Sequence, residues 1–388
     1  MNEISPVLIE ARSIFDLPTP ALILDRPKLE ENARKMRKRT SELGVALRPH
    51  VKTSKSIEVL EVLSGGEDIP ITVSTLAEAR YFFARGVRDI VYAVGIAPVK
   101  LPQIADLVQA GCGIRVILDS LEAAEAVQGF GSSEGITIGA LIEIDTDGQR
   151  AGIAPDDELL LEVARRLGSG PGAGLAGVMT HAGGSYSART LGEFESIAER
   201  ERAGAVGAAD RLRSAGFPIE VVSVGSTPTV HYARTLHGVT EARVGVYGFG
   251  DLVQAELGTC SMDDIAIFVL TSVIGHSRSH GRVLTDAGFL ALSRDRGTSD
   301  FPIDWGYGAV CDANRGELIE AVRVDSANQE HGIITARTGE LDWSLYPIGG
   351  RLRILPNHAC ATAAAYDRYF VTNGDEQIID VWDRVNGW

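Results

Sequence analysis

Short runs of β-branched residues alternate with longer amphipathic segments from about Ala46 to Gly245, and this alternation restricts the folds open to the chain. It is typical of repeated βα units whose strands lie parallel in one sheet. The candidate strands are Ala46–His50, Ile71–Ser74, Ile90–Val94, Ile114–Leu118, Ile136–Ile144, Leu175–Thr180, Ile219–Val224 and Thr240–Val244. Because eight of them occur in succession, we predict an α/β fold with a (β/α)8 barrel of the TIM type.

A second pattern begins after about Gly258, where short alternating runs and turns replace the βα repeats. Its candidate strands are Ala266–Ile274, Arg282–Thr285, Arg351–Leu355, Tyr369–Thr372 and Gln377–Val381. Asn373-Gly374, between the last two, is a strong hairpin signal. Thr19–Asp25 also reads as a strand. The sequence therefore predicts a β-rich domain in addition to the barrel.

Composition limits the partners that the chain can have. The 388 residues are 45% hydrophobic and 23% charged, which is typical of soluble globular proteins. The formal net charge of −15 disfavours binding to nucleic acid or to an anionic membrane surface. Met1 to Asp16 lacks the apolar run of a secretory signal, and no stretch approaches the roughly 20 apolar residues of a membrane span. We therefore expect a cytoplasmic protein without nucleic-acid or membrane partners.

Lys52 directly follows the first candidate barrel strand, at the barrel end where the loops converge. A partly desolvated lysine beside other cations has a lowered pKa and forms Schiff bases readily, so Lys52 could hold an aldehyde cofactor. The alternative is that Lys52 is an ordinary solvated lysine. Lys55 is the nearest competitor for the cofactor.

Several segments, in order along nearly the whole chain, resemble the D-threonine aldolase/D-serine dehydratase family. They are Pro49–Thr53, Glu143–Arg150, Thr180–Gly183, Val224–Thr229 and Pro356–Cys360. The family consists of pyridoxal 5'-phosphate (PLP) enzymes of the alanine racemase fold type. The resemblance implies that Lys52 forms the Schiff base and later removes the α-proton of the substrate. It also implies that the N-terminal residues join the C-terminal sheet, which gives a PLP-binding barrel of residues 26–258 and a discontinuous β-rich domain of residues 1–25 plus 259–388.

The phosphate of the cofactor is assigned to Gly225, Ser226 and Thr227. These residues precede a helix beginning near Pro228, whose N-terminus would attract an anion, although an ordinary polar turn would look the same. The resemblance favours phosphate. It also matches Tyr247, within Gly245–Asp251, to a phosphate-contacting tyrosine of the family.

Three further residues are expected near the cofactor ring or substrate, and the same resemblance places the first of them, Arg150. Arg150 matches an arginine close to the pyridine nitrogen, where its charge would keep that nitrogen unprotonated. It could instead form an ion pair with Asp145 or Asp147. His181 and Tyr186 follow the next strand, and one or both are expected to face the ring or substrate, although His181 could be merely hydrogen-bonded.

His358 and Cys360 form a candidate zinc site. Two residues apart on an extended strand, their side chains would point to the same side, where an imidazole and a thiolate could share one Zn2+ ion. A buried cysteine beside a packed histidine is the plainer alternative. The resemblance favours zinc, because dehydratases of the family use this pair, whereas D-threonine aldolases typically carry His-x-Asp and prefer harder metals.

The predicted function is a PLP- and zinc-dependent dehydratase of D-3-hydroxy amino acids such as D-serine, D-threonine or D-threo-3-hydroxyaspartate. Zinc would act as a Lewis acid on the β-hydroxyl, and the products would be a 2-oxo acid and ammonia. The alternatives are a metal-activated D-threonine/3-hydroxyaspartate aldolase, then a racemase, and a non-catalytic PLP carrier. The fold type implies a homodimer. Whether Arg282, Arg294 or Arg296 binds a second substrate carboxylate is left open.

Overall fold

The computed structural model describes residues 11–388, which divide into two compact units. One unit contains Arg34–Gly245 and Val385–Trp388, and the other contains the chain up to Ala33 together with Val246–Arg384. The predicted boundaries, after residues 25 and 258, stay a prediction. Residues 1–10, which that prediction assigned to the β-rich domain, lie outside the described residues. Within residues 11–388, no helix is both long enough and apolar enough to cross a membrane.

Strand β1 (Ala21–Asp25) and helix α1 (Arg26–Glu42) precede an eight-stranded parallel sheet. The strands of this sheet are β2 (Ala46–Pro49), β3 (Ile71–Val73), β4 (Asp89–Gly95), β5 (Gly113–Leu118), β6 (Ile138–Ile144), β7 (Ala173–Thr180), β8 (Val221–Val224) and β9 (Glu241–Val244). Their order is β2-β9-β8-β7-β6-β5-β4-β3, and a bridge between His50 and Thr72 joins the two ends into a nearly closed barrel. The predicted (β/α)8 barrel is therefore confirmed.

Helices connect the barrel strands. They are α2 (Ile57–Ser64), α3 (Leu76–Phe83), α4 (Leu101–Gln109), α5 (Leu121–Glu134), α6 (Leu159–Leu167), α7 (Leu191–Ser214) and α8 (Thr227–Tyr232). The side chain of Thr75 caps α3, and that of Ser120 caps α5. The spacing of apolar residues determines which face of each helix is buried. In α6, for example, the buried residues lie at positions i, i+3, i+4 and i+7, from Leu160 to Leu167.

The barrel interior combines an apolar cluster with buried charges. Val91, Ile117, Leu141 and Met179 form the apolar cluster. Arg48, whose side chain is only 2% exposed, lies 2.9 Å from Asp89 and 2.8 Å from Glu241. A buried guanidinium is tolerated because carboxylates neutralise it and accept its hydrogen bonds.

The second unit is built on a nine-stranded sheet. Helix α9 (Leu252–Glu256) leads into β10 (Ile267–Ser277), β11 (Arg282–Thr285), α10 (Phe289–Leu292), β12 (Ala309–Asp312), β13 (Leu318–Ala327), β14 (Gly332–Ala336), β15 (Arg351–Leu355), α11 (Ala359–Ala363), β16 (Arg368–Thr372) and β17 (Ile378–Asp383). The order is β11-β14-β13-β12-β15-β10-β1-β16-β17, and the additional pairing of β10 with β11 closes six of these strands into a small barrel. The predicted β-rich second domain is thus confirmed.

The N-terminal strand lies inside this sheet. In β1, Leu22 pairs with Val269 in an antiparallel ladder, and Leu24 pairs with Val371 in a parallel one. The predicted hairpin at Asn373-Gly374 joins β16 to β17, and Gly374 has a φ of +90°, which glycine adopts without steric cost.

Candidate active site

Lys52 lies in a tight turn after β2, at the carboxyl end of the barrel, and its side chain is exposed. Backbone hydrogen bonds fix this turn: the Val51 N–H donates to the Thr72 carbonyl at 2.9 Å, and the Lys55 N–H donates to the Val51 carbonyl at 2.7 Å. The backbone of Lys52 is therefore held while its amine remains accessible, as a Schiff-base lysine requires.

Lys55, the alternative lysine for the cofactor, forms an ion pair with Glu78. Nζ of Lys55 lies 3.1 Å from Oε1 of Glu78, with the two side chains 15% and 1% exposed. A buried ion pair of this kind is expensive to break, because it would leave a buried carboxylate without its counter-charge. The geometry therefore favours Lys52 over Lys55 as the imine-forming amine.

Positive groups gather beside Lys52. Burial, followed by the charges of Lys52 and Arg243, holds the pKa of His50 well below its ordinary value of 6.5. Nε2 of His50 lies 3.4 Å from Oγ of Ser74, which follows β3. Lys52 and Arg243 thus place two cationic side chains near His50 although the chain carries a net negative charge, which suits an anionic cofactor.

The loops after β7 and β8 are tied to each other. Nδ1 of His181 donates a hydrogen bond to the Gly225 carbonyl at 3.0 Å. Oε1 of Glu201, on α7, accepts the N–H groups of Ala182 at 2.9 Å and of Gly225 at 3.2 Å. Burial lowers the pKa of His181 to about 4. His181 is therefore neutral near pH 7, with its proton on Nδ1 and an unprotonated Nε2.

The Gly225-Ser226-Thr227 segment forms a buried polar turn. Gly225 has a φ of +125°, and a Cβ atom there would lie 2.7 Å from the Arg243 carbonyl oxygen, so only glycine fits. Ser226 caps α8 by a reciprocal pair of hydrogen bonds with Thr229. Oγ1 of Thr227 is buried without a hydrogen-bond partner. Because α8 has only six residues, an anion here would depend on local amides and hydroxyls rather than on a long helix dipole.

Arg150 does not form the ion pair with Asp145 or Asp147 that was considered as an alternative. Its Nη2 atom lies 3.5 Å from Oε1 of Glu143, and its side chain is 58% exposed. Asp145 and Asp147 instead accept backbone N–H groups within their own turn, as short acidic side chains often do. Burial raises the pKa of Glu143, with the charge of Arg150 acting in the opposite direction.

Tyr186 and Tyr247 are the tyrosines predicted to contact the cofactor ring or substrate and the phosphate, respectively. Tyr186 lies in a short 3-10 turn after β7 and is 36% exposed. Tyr247 is 7% exposed and belongs to the other compact unit. Their roles at the ring and the phosphate stay predictions.

Arg243, on β9, is a candidate that sequence reasoning missed. Its side chain is buried, Nη2 donates to the Thr180 carbonyl, and Nη1 is buried without a hydrogen-bond partner. Burial lowers the pKa of Arg243 to about 10, opposed by the charges of Glu201, Glu241 and Glu143. The available signal was an arginine between Ala242 and Val244 in a barrel strand.

In the β-rich unit, His358 and Cys360 lie at the start of α11, so the predicted extended strand is wrong. Strand β15 ends at Leu355, and Pro356 cannot donate to a strand ladder. The Asp251 carboxylate, distant in sequence, accepts the Ala359 N–H at 2.9 Å at the first turn of the helix. The side chains of His358 and Cys360 nevertheless interact, since Cys360 contributes to raising the pKa of the His358 imidazole.

A carboxylate also contacts this pair. Nδ1 of His358 lies 2.6 Å from Oδ2 of Asp295. Burial alone would lower the pKa of His358, but hydrogen bonds to Asp295 and Cys360 outweigh burial and raise it to about 11. Among residues 11–388, no three His, Cys, Asp or Glu side chains are grouped so that they could hold a metal ion. A metal on His358 and Cys360 would thus keep coordination positions for water or substrate.

The three arginines left open as carboxylate ligands have different surroundings. Arg296 lies 2.7 Å from Asp304 in an ion pair. The guanidinium of Arg294 stacks 4.3 Å from the ring centre of Phe289, and Arg282 is exposed on β11. None of these contacts assigns one of them to a substrate.

Two family models together match most of the chain. The alanine racemase N-terminal domain matches residues 24–253, and the putative serine dehydratase domain matches residues 266–372. The chain is 47% identical to D-threo-3-hydroxyaspartate dehydratase of Delftia sp. (strain HT23), over 97% of this chain and 99% of that protein. It is 30% identical to D-serine dehydratase of Dictyostelium discoideum, over 97% and 98%, and 27% identical to D-threonine aldolase of an Arthrobacter species, over 94% and 91%.

Solved structures agree with this relationship. D-threo-3-hydroxyaspartate dehydratase from Delftia sp. HT23 superposes with a TM-score of 0.93 at 46% identity, covering 97% of this chain and 100% of that one. A mutant of D-threo-3-hydroxyaspartate dehydratase in a metal-free form gives a TM-score of 0.94 at the same identity and coverage. Alanine racemase of Clostridium difficile, at 15% identity and a TM-score of 0.66, shares the fold. This chain therefore belongs to the alanine racemase-like family of PLP enzymes, in the group that contains the D-serine and D-threo-3-hydroxyaspartate dehydratases.

Proposed function

We propose that this protein is a PLP- and zinc-dependent dehydratase that converts D-3-hydroxy amino acids into a 2-oxo acid and ammonia. The observation that carries the proposal is that His358 and Cys360 lie together at the start of α11 and interact electrostatically, because an imidazole with a thiolate is a donor set suited to zinc. D-threo-3-hydroxyaspartate is the first substrate to test, since the relative that acts on it is 47% identical over nearly the whole chain.

The barrel residues fit PLP. The unpartnered buried hydroxyl of Thr227 and the cradle at Gly225 suit its phosphate, and the unpartnered Nη1 of Arg243 offers a buried donor. The exposed amine of Lys52 would hold the aldehyde. When bound to an amino acid, PLP withdraws electrons from Cα and so acidifies its hydrogen. Lys52 would accept that proton, as the amine next to the cofactor.

The electropositive surroundings of Lys52 serve the same chemistry. Neutral His50 and His181 add no charge near pH 7, so Arg243 and Lys52 supply the cationic field that holds anionic groups. Arg150, 3.5 Å from Glu143, would place a guanidinium beside the pyridine nitrogen, as its match to the family implies. A neutral His181 with an unprotonated Nε2 can accept a proton or a hydrogen bond at the ring or substrate.

The His358–Cys360 pair fits a soft or borderline divalent ion, and Asp295 occupies the second nitrogen of the imidazole. The chemistry that zinc supplies on such a site is Lewis acidity toward a hydroxyl oxygen, which eases loss of hydroxide. A thiolate disfavours the harder ions that prefer carboxylates. The pair thus supports elimination of the hydroxyl over cleavage of the Cα–Cβ bond.

We also propose that the protein acts as a homodimer in the cytoplasm, with small D-amino acids as its substrates and without nucleic-acid or membrane partners. The fold type and the net charge of −15 support this. Light scattering tests the oligomeric state: a particle of twice the 41.4 kDa chain mass is expected, and a particle of one chain mass would contradict the dimer.

A substrate panel tests the function. Purified protein, zinc-loaded and metal-stripped, would be incubated with D-threo-3-hydroxyaspartate, D-serine and D-threonine. Equal amounts of ammonia and 2-oxo acid, formed only by zinc-loaded protein, are expected. Glycine together with an aldehyde would identify an aldolase, the activity of the relative that is 27% identical. A racemised substrate would identify a racemase, and the absence of any turnover would identify a PLP carrier.

A further inference from the structure

We propose that Asp295 is a positioning residue for metal binding: its carboxylate fixes the proton of His358 on Nδ1 and thereby presents Nε2 to the metal. The inference rests on the proposed function and extends it, since it assigns a role to a residue that is not itself expected to be a metal ligand. Metal-binding histidines generally donate their other N–H to a carboxylate or carbonyl, which sets the tautomer and the ring orientation.

The first support is the contact itself. Oδ2 of Asp295 lies 2.6 Å from Nδ1 of His358, a short distance typical of a charge-assisted hydrogen bond. A ring nitrogen that donates to a carboxylate cannot also coordinate a metal. Nε2 therefore remains as the nitrogen available to an ion shared with the sulfur of Cys360, which lies two residues further along the chain in the first turn of α11.

The second support is that Asp295 is itself held in place. Its N–H donates to Oγ of Ser293 at 3.1 Å, and its carbonyl accepts Nδ2 of Asn357 at 3.2 Å. Asn357 is 1% exposed, precedes His358 in the chain, and also donates to the Gly306 carbonyl at 2.6 Å. The buried side-chain amide of Asn357 thus holds the backbone of Asp295 close to His358.

The third support is backbone strain at the same segment. Ser293 has a φ of +72°, a conformation that non-glycine residues rarely adopt. Such strain persists where the surroundings hold it, and it concentrates at functional sites. Here the strained serine receives the Asp295 N–H through its hydroxyl. We therefore interpret the strained backbone at Ser293 as part of what holds Asp295 in position.

Two other roles for Asp295 can be separated from positioning. A directly coordinating Asp295 would be gathered with His358 and Cys360 into a three-ligand group, and no such group exists among residues 11–388. A merely structural ion pair would resemble that of Arg296 with Asp304. Its atoms lie 2.7 Å apart, and its side chains are about as exposed as those of His358 and Asp295 in the same part of the chain. Asp304 also accepts the Gly306 N–H at 2.8 Å. Asp304→Asn is therefore a matched control.

The test measures zinc affinity of the PLP-loaded protein by competition with a chromogenic chelator at one pH. We expect Asp295→Asn to weaken zinc binding roughly 10-fold and Asp295→Ala to approach roughly 100-fold, within the range seen for such partners. Asp304→Asn should leave zinc affinity unchanged, and thermal unfolding checks that each variant is folded. Wild-type zinc affinity in folded Asp295→Ala, or an equal loss in Asp304→Asn, would overturn the inference.

Cobalt substitution adds a second readout. The sulfur-to-cobalt charge-transfer band should persist in Asp295→Ala, because Cys360 and His358 remain ligands. A change of the cobalt ligand-field bands to those of a site that has lost a ligand would show that Asp295 coordinates directly, and would overturn the positioning role. Failure of the proposed function is distinguishable, because it is read from the products that the wild-type protein forms in the substrate panel, whereas the role of Asp295 is read from zinc and cobalt binding.

Discussion

Nζ of Lys55 lies 3.1 Å from Oε1 of the buried Glu78, whereas the side chain of Lys52 is exposed at the carboxyl end of the barrel. We expect Lys52→Ala to lose the imine absorbance of bound PLP and all turnover, since no amine remains to hold the aldehyde. Lys55→Met should keep the absorbance but unfold more easily, by roughly 3–5 kcal/mol, because Glu78 loses its partner. Absorbance spectra and urea denaturation measure the two effects. Loss of the absorbance in Lys55→Met alone would reverse the assignment.

Thr227→Val should weaken PLP binding roughly tenfold with little change in the stability of the cofactor-free protein. The Thr227 hydroxyl is buried and has no hydrogen-bond partner in the protein, so its removal costs affinity only when an acceptor is bound. Thr229→Val is the control, because Thr229 bonds to Ser226 and its loss should destabilise the fold by about 1–3 kcal/mol. Equilibrium titration with PLP and thermal unfolding separate these effects. Unchanged PLP affinity in Thr227→Val would remove Thr227 from the phosphate site.

Acid should destabilise the protein in part through His181. Its pKa is about 4 in the folded state against an ordinary value of 6.5, so between these values the unfolded chain binds the extra proton. The contribution of His181 is therefore complete above about pH 6.5 and is lost as the pH falls toward 4, by at most about 3 kcal/mol. His181→Gln should flatten the fall of unfolding free energy over this interval. An identical slope in wild type and variant, in the same cofactor state, would contradict the buried neutral histidine.

Cys360→Asp should shift metal preference toward harder ions. Replacement of a thiolate by a carboxylate is expected to reduce the ratio of zinc to manganese affinity by roughly tenfold or more. The matched control is Cys311→Ala, since Cys311 is a buried cysteine of the same unit. Competitive metal titrations give both ratios. A ratio in Cys360→Asp equal to that of wild type would exclude Cys360 as a ligand.

The sequence was most informative where a pattern is local. Most barrel strands are short, largely buried runs that contain β-branched residues, and all eight were predictable to within a few residues. Strands β12, β13 and β14 were missed, and β14 begins at Gly332, a residue that weakens strand signals. Lys52 and the loops after β6, β7 and β8 follow from the rule that barrel sites lie at the carboxyl ends of strands.

What could not be predicted depends on contacts between distant residues. Asp295 and His358 are 63 residues apart in sequence, and Asp251 is 108 residues from the Ala359 N–H that it accepts. The second contact begins α11 and made the predicted extended strand wrong. Glu201 reaches the amides of two barrel loops from a helix, so only the closed fold reveals its position.

The two strands that close the barrel, β2 and β3, share fewer paired residues than the other neighbouring strands. Strands β2 and β3 meet through a single bridge between His50 and Thr72, whereas the other neighbouring barrel strands, as described, pair over two or more residues. The backbone amide hydrogens between β2 and β3 should exchange with solvent before those of the other strand pairs. Lys52 therefore follows the strand with the shortest ladder in the described barrel, so the backbone that leads into it is expected to open locally more readily than the backbone of the other strands.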